Sequence, residues 1–547
     1  MVVSTRSTLP FLFSAALALC PPPGALLPPP TLESVSSNFS IPESVFSRLS
    51  FLGNNSFAIQ ASIGDVNFYE YEHSAPGREL NQTLFKTKSR IASATKMITS
   101  LALALSSDLI SLEDPITKYI PGLDQDLYAG VTVGSLADHT SGLGRFGYVG
   151  DLALVGANTS ALGLPRINTT LPGCDPFPGG RVCTETEVLA MFNHPSYAPN
   201  SPNSGPLYSN IGYNLIGMAL AAAHNKSYES IVQDLILSPL GMTSSTFETP
   251  ANNGSALLPR LPADRTWFAS NFGNFNPTGG LWSTTEDMLK LLQSLLNNDL
   301  LTASETRKWL QPRALLPSLH QIVGKSWEIL RPTDIPVGFP RPLTLYSKAG
   351  NVNGYGAYAV LVPEYDLSLV ILAAGGQAIQ GAVVELLGVV SRPLVAYADQ
   401  LARAQAAAKY AGTYRVAGDN GTNSTGTSLT LSASSGPGLE ITSFVVGNRP
   451  ILPALAGAAG IPLNNFSARL YATDPDSVGT EQEVWRMLLD RKEDQTAFAE
   501  LNCASWALTD TIRYERERLD TFVFDVQEDG AVGVELLGWR LTLEKVA

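Results

Sequence analysis

Ser93-Ala94-Thr95-Lys96-Met97-Ile98-Thr99-Ser100-Leu101-Ala102-Leu103-Ala104-Leu105 is the stretch on which the fold of this chain is decided. Met97, Ile98, Leu101 and Leu105 recur at the spacing of one helical face, so a helix is expected from Ser93 to about Leu105. Ser93 and Lys96 are three residues apart and share a face, which lets the amine lie beside the hydroxyl. A hydroxyl is a weak nucleophile near neutral pH and needs an adjacent base. A lysine whose pKa is lowered by desolvation can serve as that base. The first helical turn also leaves backbone N–H groups unpaired next to the hydroxyl. Taken alone, the pair is equally a helix-start serine with a solvated lysine, and its company in the chain has to separate the two.

Upstream, Phe57-Ala58-Ile59-Gln60-Ala61 and Val66-Asn67-Phe68-Tyr69-Glu70 read as paired short strands around Gly64-Asp65. Downstream, about 106–320 mixes helices with long loops. Its segment 144–206 is rich in Gly, Pro and Asn, and loops of that length are usually functional or lid-like. Three strands follow, Thr344 to Lys348, Gly356 to Val362 and Leu367 to Ala373, then a helix at about 378–406. Strands at both ends of a segment with helices between them point to one antiparallel sheet completed by its N- and C-terminal parts. From about 408 the pattern alternates, as in Thr427 to Ala433, Thr521 to Val526 and Trp539 to Glu544, with Gly, Asp and Asn turns between. That is expected to be a separate, mostly-β module, a barrel or a sandwich.

At 547 residues, two or three domains are expected. A net charge of −13 argues against nucleic acid as a partner, because tracking phosphates needs clustered Lys and Arg. Arg6 followed by the apolar Leu9 to Cys20 reads as a secretory signal, too short to span a bilayer, with a cleavage point at about 18–25. The domains expected are therefore a signal peptide over 1–25, a catalytic domain over 26–405 and a β-rich domain over 406–547. After signal removal no membrane attachment is expected. Sequons at Asn38, Asn54, Asn81, Asn158, Asn168, Asn225, Asn253, Asn420, Asn423 and Asn465 agree with a secreted glycoprotein of eukaryotic origin. Cys174 and Cys183 lie close together in a Pro/Gly loop and are expected to pair. With Cys20 leaving in the signal, Cys503 is expected to be an unpaired core thiol.

Two further tripeptides carry chemistry. In Tyr208-Ser209-Asn210, a phenol held near a cation can exchange a proton with a serine oxygen, and the Asn210 amide can bridge the lysine and a substrate carbonyl. In Lys348-Ala349-Gly350, at the end of a strand, the lysine adds positive charge and the small residues let a substrate pair with the strand edge. No G-x-S-x-G occurs, and none of the five histidines, His73, His139, His194, His224 and His320, forms a metal-ligand spacing. Neither a metal nor a cofactor is expected.

S-x-x-K, then Y-x-N, then K-x-G, in this order and on these elements, resembles the serine β-lactamase/penicillin-binding family, especially its class C and esterase-like branches. Asp114 to Tyr119, His139 to Leu143, Pro239 to Met242 and Gly279 to Thr284 are similar to that family as well, so the resemblance spans roughly 50–400. The module beyond resembles the extra β-domain of some fungal secreted relatives. The resemblance implies an α/β (α+β) fold: a β-lactamase/transpeptidase-like antiparallel sheet flanked by helices, with an all-helical lobe and a C-terminal mostly-β domain. It implies that Ser93 is the acylated nucleophile, Lys96 its base partner and Tyr208 a general base and acid. Asn210, Lys348, Gly350 and Asn351 would hold substrate, and the N–H groups of Ser93 and Asn351 would form the oxyanion hole. His139 would be structural, in its turn. Ala349 departs from the family, which usually has Thr or Ser there to help hold a substrate carboxylate. The function expected is hydrolysis of an ester, amide or lactam, the partner being a small-molecule or peptide-like acyl substrate. The alternatives are acyl transfer to an alcohol or amine in natural-product tailoring, and a non-catalytic binding protein of the same fold.

Overall fold

The computed structural model describes residues 20–33, 39–49, 52–76, 82–154, 157–168, 171–172, 174, 181–251, 254–376, 379–418, 425–433, 436–492, 503, 505–528 and 530–546. The expected signal up to residue 19, and the sequons at Asn38, Asn81, Asn253, Asn420 and Asn423, lie outside the described residues. The chain divides into two compact units, one of Thr31–Pro336 with Pro340–Ala398, the other of Asp399–Ala547 with Val337–Phe339 and the described part of Met1–Pro30.

In the larger unit the strands are β1 Ser56–Ile63, β2 Val66–His73, β3 Ser89–Arg90, β4 Trp282–Ser283, β5 Pro312–Leu315, β6 Gln321–Gly324, β7 Glu328–Leu330, β8 Leu345–Val352, β9 Tyr355–Val362 and β10 Leu367–Ala374. Eight of them form one antiparallel sheet in the order β2-β1-β10-β9-β8-β7-β6-β5, and β3 pairs with β4 separately. The sheet is completed by pairing β1 with β10 from Ser56↔Ala374 to Ile63↔Leu367, which ties the N-terminal hairpin to the far end of the unit. Both strands are buried along their whole length, as their near-continuous apolar sequences demand of strands covered on two faces. Helix Thr285–Asn297 packs on β1 and β10. Helix Ile379–Tyr410 covers other strands: Tyr397 stacks on Phe68 of β2, and Val383 and Ile379 lie over Gly356 of β9. That helix is long and apolar enough to cross a membrane by length and composition, but Val383, Leu386, Val390 and Leu394 are buried in the protein.

Strands β5 to β7 fall in or next to a region expected to hold only helices and loops. Each has four residues or fewer, too short for alternation to declare itself. The helical lobe is built on Thr95–Leu105, Val133–Ala137, Asn210–His224 and Tyr228–Val232, whose Met97, Ile98, Leu101, Leu136, Leu215, Ile216 and Ile231 share one core. The α-helix expected from Ser93 begins at Thr95 instead. Ser93 sits before it in a 3₁₀ turn, Ala92–Ala94, entered through Ala92 at φ 46°.

That turn lies directly against β8. A Cβ on Gly350 would stand 1.8 Å from the carbonyl oxygen of Ile91 and 2.9 Å from the nitrogen of Ala94, so only glycine lets the strand approach the turn.

The smaller unit is a closed barrel. Its sheet runs through Gly412–Arg415, Leu541–Lys545, Gly530–Leu536, Thr521–Gln527, Gln482–Arg491, Phe466–Tyr471 and Leu439–Val446, and Ser428–Ser432 closes it by pairing at both ends. Closure removes the exposed edges that a sandwich would keep. Leu429, Leu431, Ile441, Trp485, Phe522, Phe524, Val534 and Leu543 fill the interior. Glu483 is fully buried at one end. Its carboxylate accepts from Lys409 Nζ at 2.8 Å, from the Gly479 N–H at 3.0 Å and from the Tyr410 hydroxyl.

Cys174 and Cys183 form the expected disulfide, with Cα atoms 4.9 Å apart. Cys503, expected to be free, is instead bonded to Cys20 across 483 residues. The following segment is held too: Leu27 joins the barrel core, and Leu26 packs with Phe339, Tyr471 and Leu488. A pairing between chain ends leaves no local sequence signal.

Two stability measurements check this packing. Gly350→Ala should lower the calorimetric midpoint by a few degrees, since forced overpacking costs about 1–3 kcal/mol. Glu483→Ala leaves the buried Tyr410 phenol, and a Lys409 amine that is 31% exposed, without their acceptor. It should cost about 1–3 kcal/mol, read as a lower urea midpoint at unchanged slope.

Candidate active site

The loop that carries Tyr208 is fastened to the His139–Leu143 turn. The N–H groups of Leu207, Asn203 and Asn200 donate to the carbonyls of His139, Thr140 and Gly142 at 2.8, 2.7 and 2.8 Å. The Ser209 N–H donates to His139 Nδ1 at 3.1 Å, and the His139 ring stacks on Tyr208 with centroids 4.6 Å apart. Because Nδ1 accepts a bond, the imidazole proton sits on Nε2. Burial, then the charges of Lys96 and Lys348, holds His139 well below its usual pKa, so it is a neutral support and not a base. Ser209 Oγ accepts from the Gly212 N–H at 2.9 Å and caps helix Asn210–His224, fixing where the helix starts behind Tyr208.

Lys96 is fully buried. Its amine donates to Ser93 Oγ at 3.2 Å and to the Thr278 carbonyl at 2.8 Å. Burial lowers its pKa, the nearby Lys348 charge adds to that, and Tyr208 opposes it, leaving the group at about 8. Tyr208 is hydrogen-bonded to Ser93 and lies beside both lysines, with Lys96 Nζ 5.1 Å and Lys348 Nζ 5.2 Å from its ring centroid. Burial raises its pKa, but the charges of Lys348 and Lys96 outweigh this and bring it down to about 8. The amine and the phenol therefore meet beside the Ser93 hydroxyl with proton affinities close to one another.

Lys348 is the second lysine at the centre. Burial alone would lower its pKa, but the Glu328 carboxylate and Tyr208 outweigh burial and raise it. Its amine donates to Glu328 Oε1 at 2.5 Å and to the Ala349 carbonyl at 3.0 Å. Ala349 is the neighbour without a side-chain hydroxyl, and its N–H donates to Glu328 Oε2 at 3.2 Å.

Gly350 and Asn351 lie on the same strand, where register decides which way each N–H faces. Val352 pairs with Tyr355 across a two-residue turn, and residues flanking such a turn exchange both hydrogen bonds. By alternation, Gly350 and Lys348 also bond β9, whereas the N–H groups of Ala349 and Asn351 point away from it. On that side β7 begins at Glu328, opposite Ser347, so among the described residues no strand pairs with β8 beyond it. Asn351 thus presents its N–H on an open strand edge next to the Ser93 turn.

Ser93, Lys96, Tyr208, Lys348, Gly350 and Asn351 are thereby brought together. Asn210 is adjacent, but the bridge to Lys96 is not made: its Oδ1 is buried with no hydrogen-bond partner among the described residues, and its carbonyl accepts from Thr278 Oγ1 at 2.9 Å. Glu328 and Thr278 were not singled out from sequence. Thr278 directly precedes the Gly279–Thr284 stretch and acts through its carbonyl, which any residue could supply. Glu328 is one carboxylate in a three-residue strand, and only the fold carries it to Lys348. Cys174, Cys183 and Glu187 have the dimensions of a metal site, but the two sulfurs are bonded to each other.

Residues 64–387 match the family model described as Beta-lactamase, and residues 402–547 match the model described as Beta-lactamase-like-like, C-terminal domain. A Beta-lactamase-like protein of Arthroderma benhamiae is 28% identical over 576 residues, covering 96% of this chain and 95% of that protein. Probable hydrolase M10 of a Phoma species is 27% identical over 564 residues, covering 96% and 91%. Among solved structures, a class C beta-lactamase aligns with a TM-score of 0.47 at 20% identity over 64% of this chain and 93% of that one. The D-amino acid amidase from Ochrobactrum anthropi SV3 aligns with a TM-score of 0.48 at 22% identity, covering 65% and 98%. The span matched by the first model takes in the whole of the Ser93, Lys96, Tyr208 and Lys348 cluster, and the chain belongs to the beta-lactamase family.

Proposed function

We propose that the protein is a secreted serine hydrolase that cleaves an ester, amide or lactam through an acyl-Ser93 intermediate. The observation that carries this reading is the fully buried Lys96 amine, held 3.2 Å from Ser93 Oγ with its pKa brought to about 8. A lysine kept this close to neutrality beside a hydroxyl is poised to accept its proton. Ser93 Oγ attacks the acyl carbon, and its proton passes to the Lys96–Tyr208 pair. The N–H groups of Ser93 and Asn351 take up the negative charge on the acyl oxygen. Collapse breaks the bond to the leaving group, which receives a proton from Tyr208. Water then repeats the sequence in reverse roles and frees Ser93.

Secretion is supported by the two disulfides, by fungal relatives, and by exposed sequon residues Asn54, Asn158, Asn168 and Asn225, with Asn465 half-buried. Such a protein would be glycosylated and leave its signal before Cys20. Its partner is a small acyl substrate rather than nucleic acid, in keeping with the net charge of −13.

A fluorophosphonate should add one label to the intact protein, seen by mass spectrometry, and Ser93→Ala should abolish it; labelling that survives the substitution refutes the nucleophile. Lys96→Ala should slow labelling by about 100-fold or more. The pair must lose a proton before it can act as a base, and both members titrate at about 8. The labelling rate should therefore rise about tenfold per pH unit below that value and level off above it. A profile flat across this range would exclude the assignment.

A further inference from the structure

Of the two lysines at the Ser93 site, Lys348 is the one whose charge is secured, and it does not face a substrate unaccompanied. Glu328 lies across from Ser347 in the β7–β8 register and turns its carboxylate to the next two residues of β8. One oxygen accepts from Lys348 Nζ at 2.5 Å and the other from the Ala349 N–H at 3.2 Å. An amine and a backbone N–H that converge on two oxygens of one carboxylate form a seat for that group. The neighbouring side chain at 349 is a methyl and adds no third donor. Glu328 itself is 25% exposed, so the wall seen by an entering molecule carries a negative charge where a free Lys348 would have made it positive.

Other charges around the seat do not restore an anion site there. Lys96 is engaged with Ser93 and the Thr278 carbonyl. Arg145 is exposed and lies over the opposite partner, 5.0 Å from the Tyr208 ring centroid and 5.4 Å from that of Phe146. Phe146 and Leu207, on either side of this group in the chain, are large apolar residues left 39% and 42% exposed.

We propose that Glu328 sets substrate charge at the Ser93 site: it occupies the carboxylate seat of Lys348 and the Ala349 N–H, so that uncharged, apolar acyl groups are accepted and acyl groups bearing a carboxylate are turned away. The proposal rests on the acyl-Ser93 reading. Like-charge juxtaposition and the loss of two charge-assisted bonds both oppose an anionic substrate.

The test is a matched pair of activated esters, p-nitrophenyl butyrate and the mono-p-nitrophenyl ester of succinic acid, with wild-type protein and Glu328→Gln. Wild type should prefer the butyrate in kcat/KM by about 50-fold or more, and Glu328→Gln should cut that preference by about tenfold or more, chiefly through KM for the succinate. Fluorophosphonate labelling of Ser93 in each variant is scored first: its absence in wild type overturns the acyl-serine reading and not the charge assignment alone. A second measurement does not depend on turnover. Acetate should slow labelling of Glu328→Ala by entering the vacated seat, and leave the wild-type rate unchanged. Equal use of both esters by wild type, or an unchanged preference in a Glu328→Gln protein that still labels, overturns the proposal, as does equal protection by acetate in both proteins.

Discussion

Burial of the Lys96 amine is the constraint on which the larger unit depends. A cation out of water is costly unless it is hydrogen-bonded, and this one lies against Ser93 Oγ, the Thr278 carbonyl and the Tyr208 phenol. The cost falls if the amine loses its proton, and that is the form a base must have. Burial and chemistry therefore pull in one direction. Thr278 is itself anchored: its hydroxyl donates to the Asn210 carbonyl and to Asn214 Oδ1 at 2.5 Å, both on the helix that follows Tyr208. The acceptor that holds Lys96 is in this way tied to the element that delivers the phenol.

Charge alternates through the site. Glu328, Lys348, Tyr208 and Lys96 form a chain in which each member shifts the next, and the pKa changes follow its order. Glu328 secures the charge on Lys348, Lys348 draws Tyr208 down, and Lys348 also helps to lower Lys96. Removing the carboxylate would alter Lys348 first and the phenol through it. Glu328 is thus coupled to the proton inventory of Ser93 while lying on a strand that touches neither the nucleophile turn nor the Tyr208 loop in sequence.

What could be read from the sequence were the parts whose spacing is local. Ser93 and Lys96 sit one turn apart, Tyr208 and Asn210 straddle a helix start, and Lys348 to Asn351 follow a strand pattern, so each motif declares its own geometry. Their order along the chain assembled them, and the strands at both ends of the unit foretold the β1–β10 pairing. The missing parts are those where distant segments meet. Glu328 needs the β7–β8 register, Thr278 acts through its backbone, and Cys20 finds Cys503 only after the chain has folded. The barrel was legible as alternation, but closure is a property of which strand pairs with which, and alternation is silent on that.

The position of Ser93 is fixed by more than its helix. Ala92 enters the turn at φ 46°, a region that costs a residue with a Cβ about 1 kcal/mol or more and persists only where surroundings impose it. Here they do so from two sides. Gly350 brings β8 against Ile91, where a Cβ would clash with its carbonyl oxygen, and the chain beyond Thr278 holds Ile91 from the other side. The Ile91 N–H is held by the Leu281 carbonyl at 3.2 Å, just beyond the segment that carries Thr278. An ordinary helix start at Ser93 would have turned the hydroxyl with the helix; the 3₁₀ turn sets it by contact with strand and loop instead. Gly350 is therefore as much a part of the nucleophile's placement as the lysine one turn on, though it offers no side-chain atom to the chemistry.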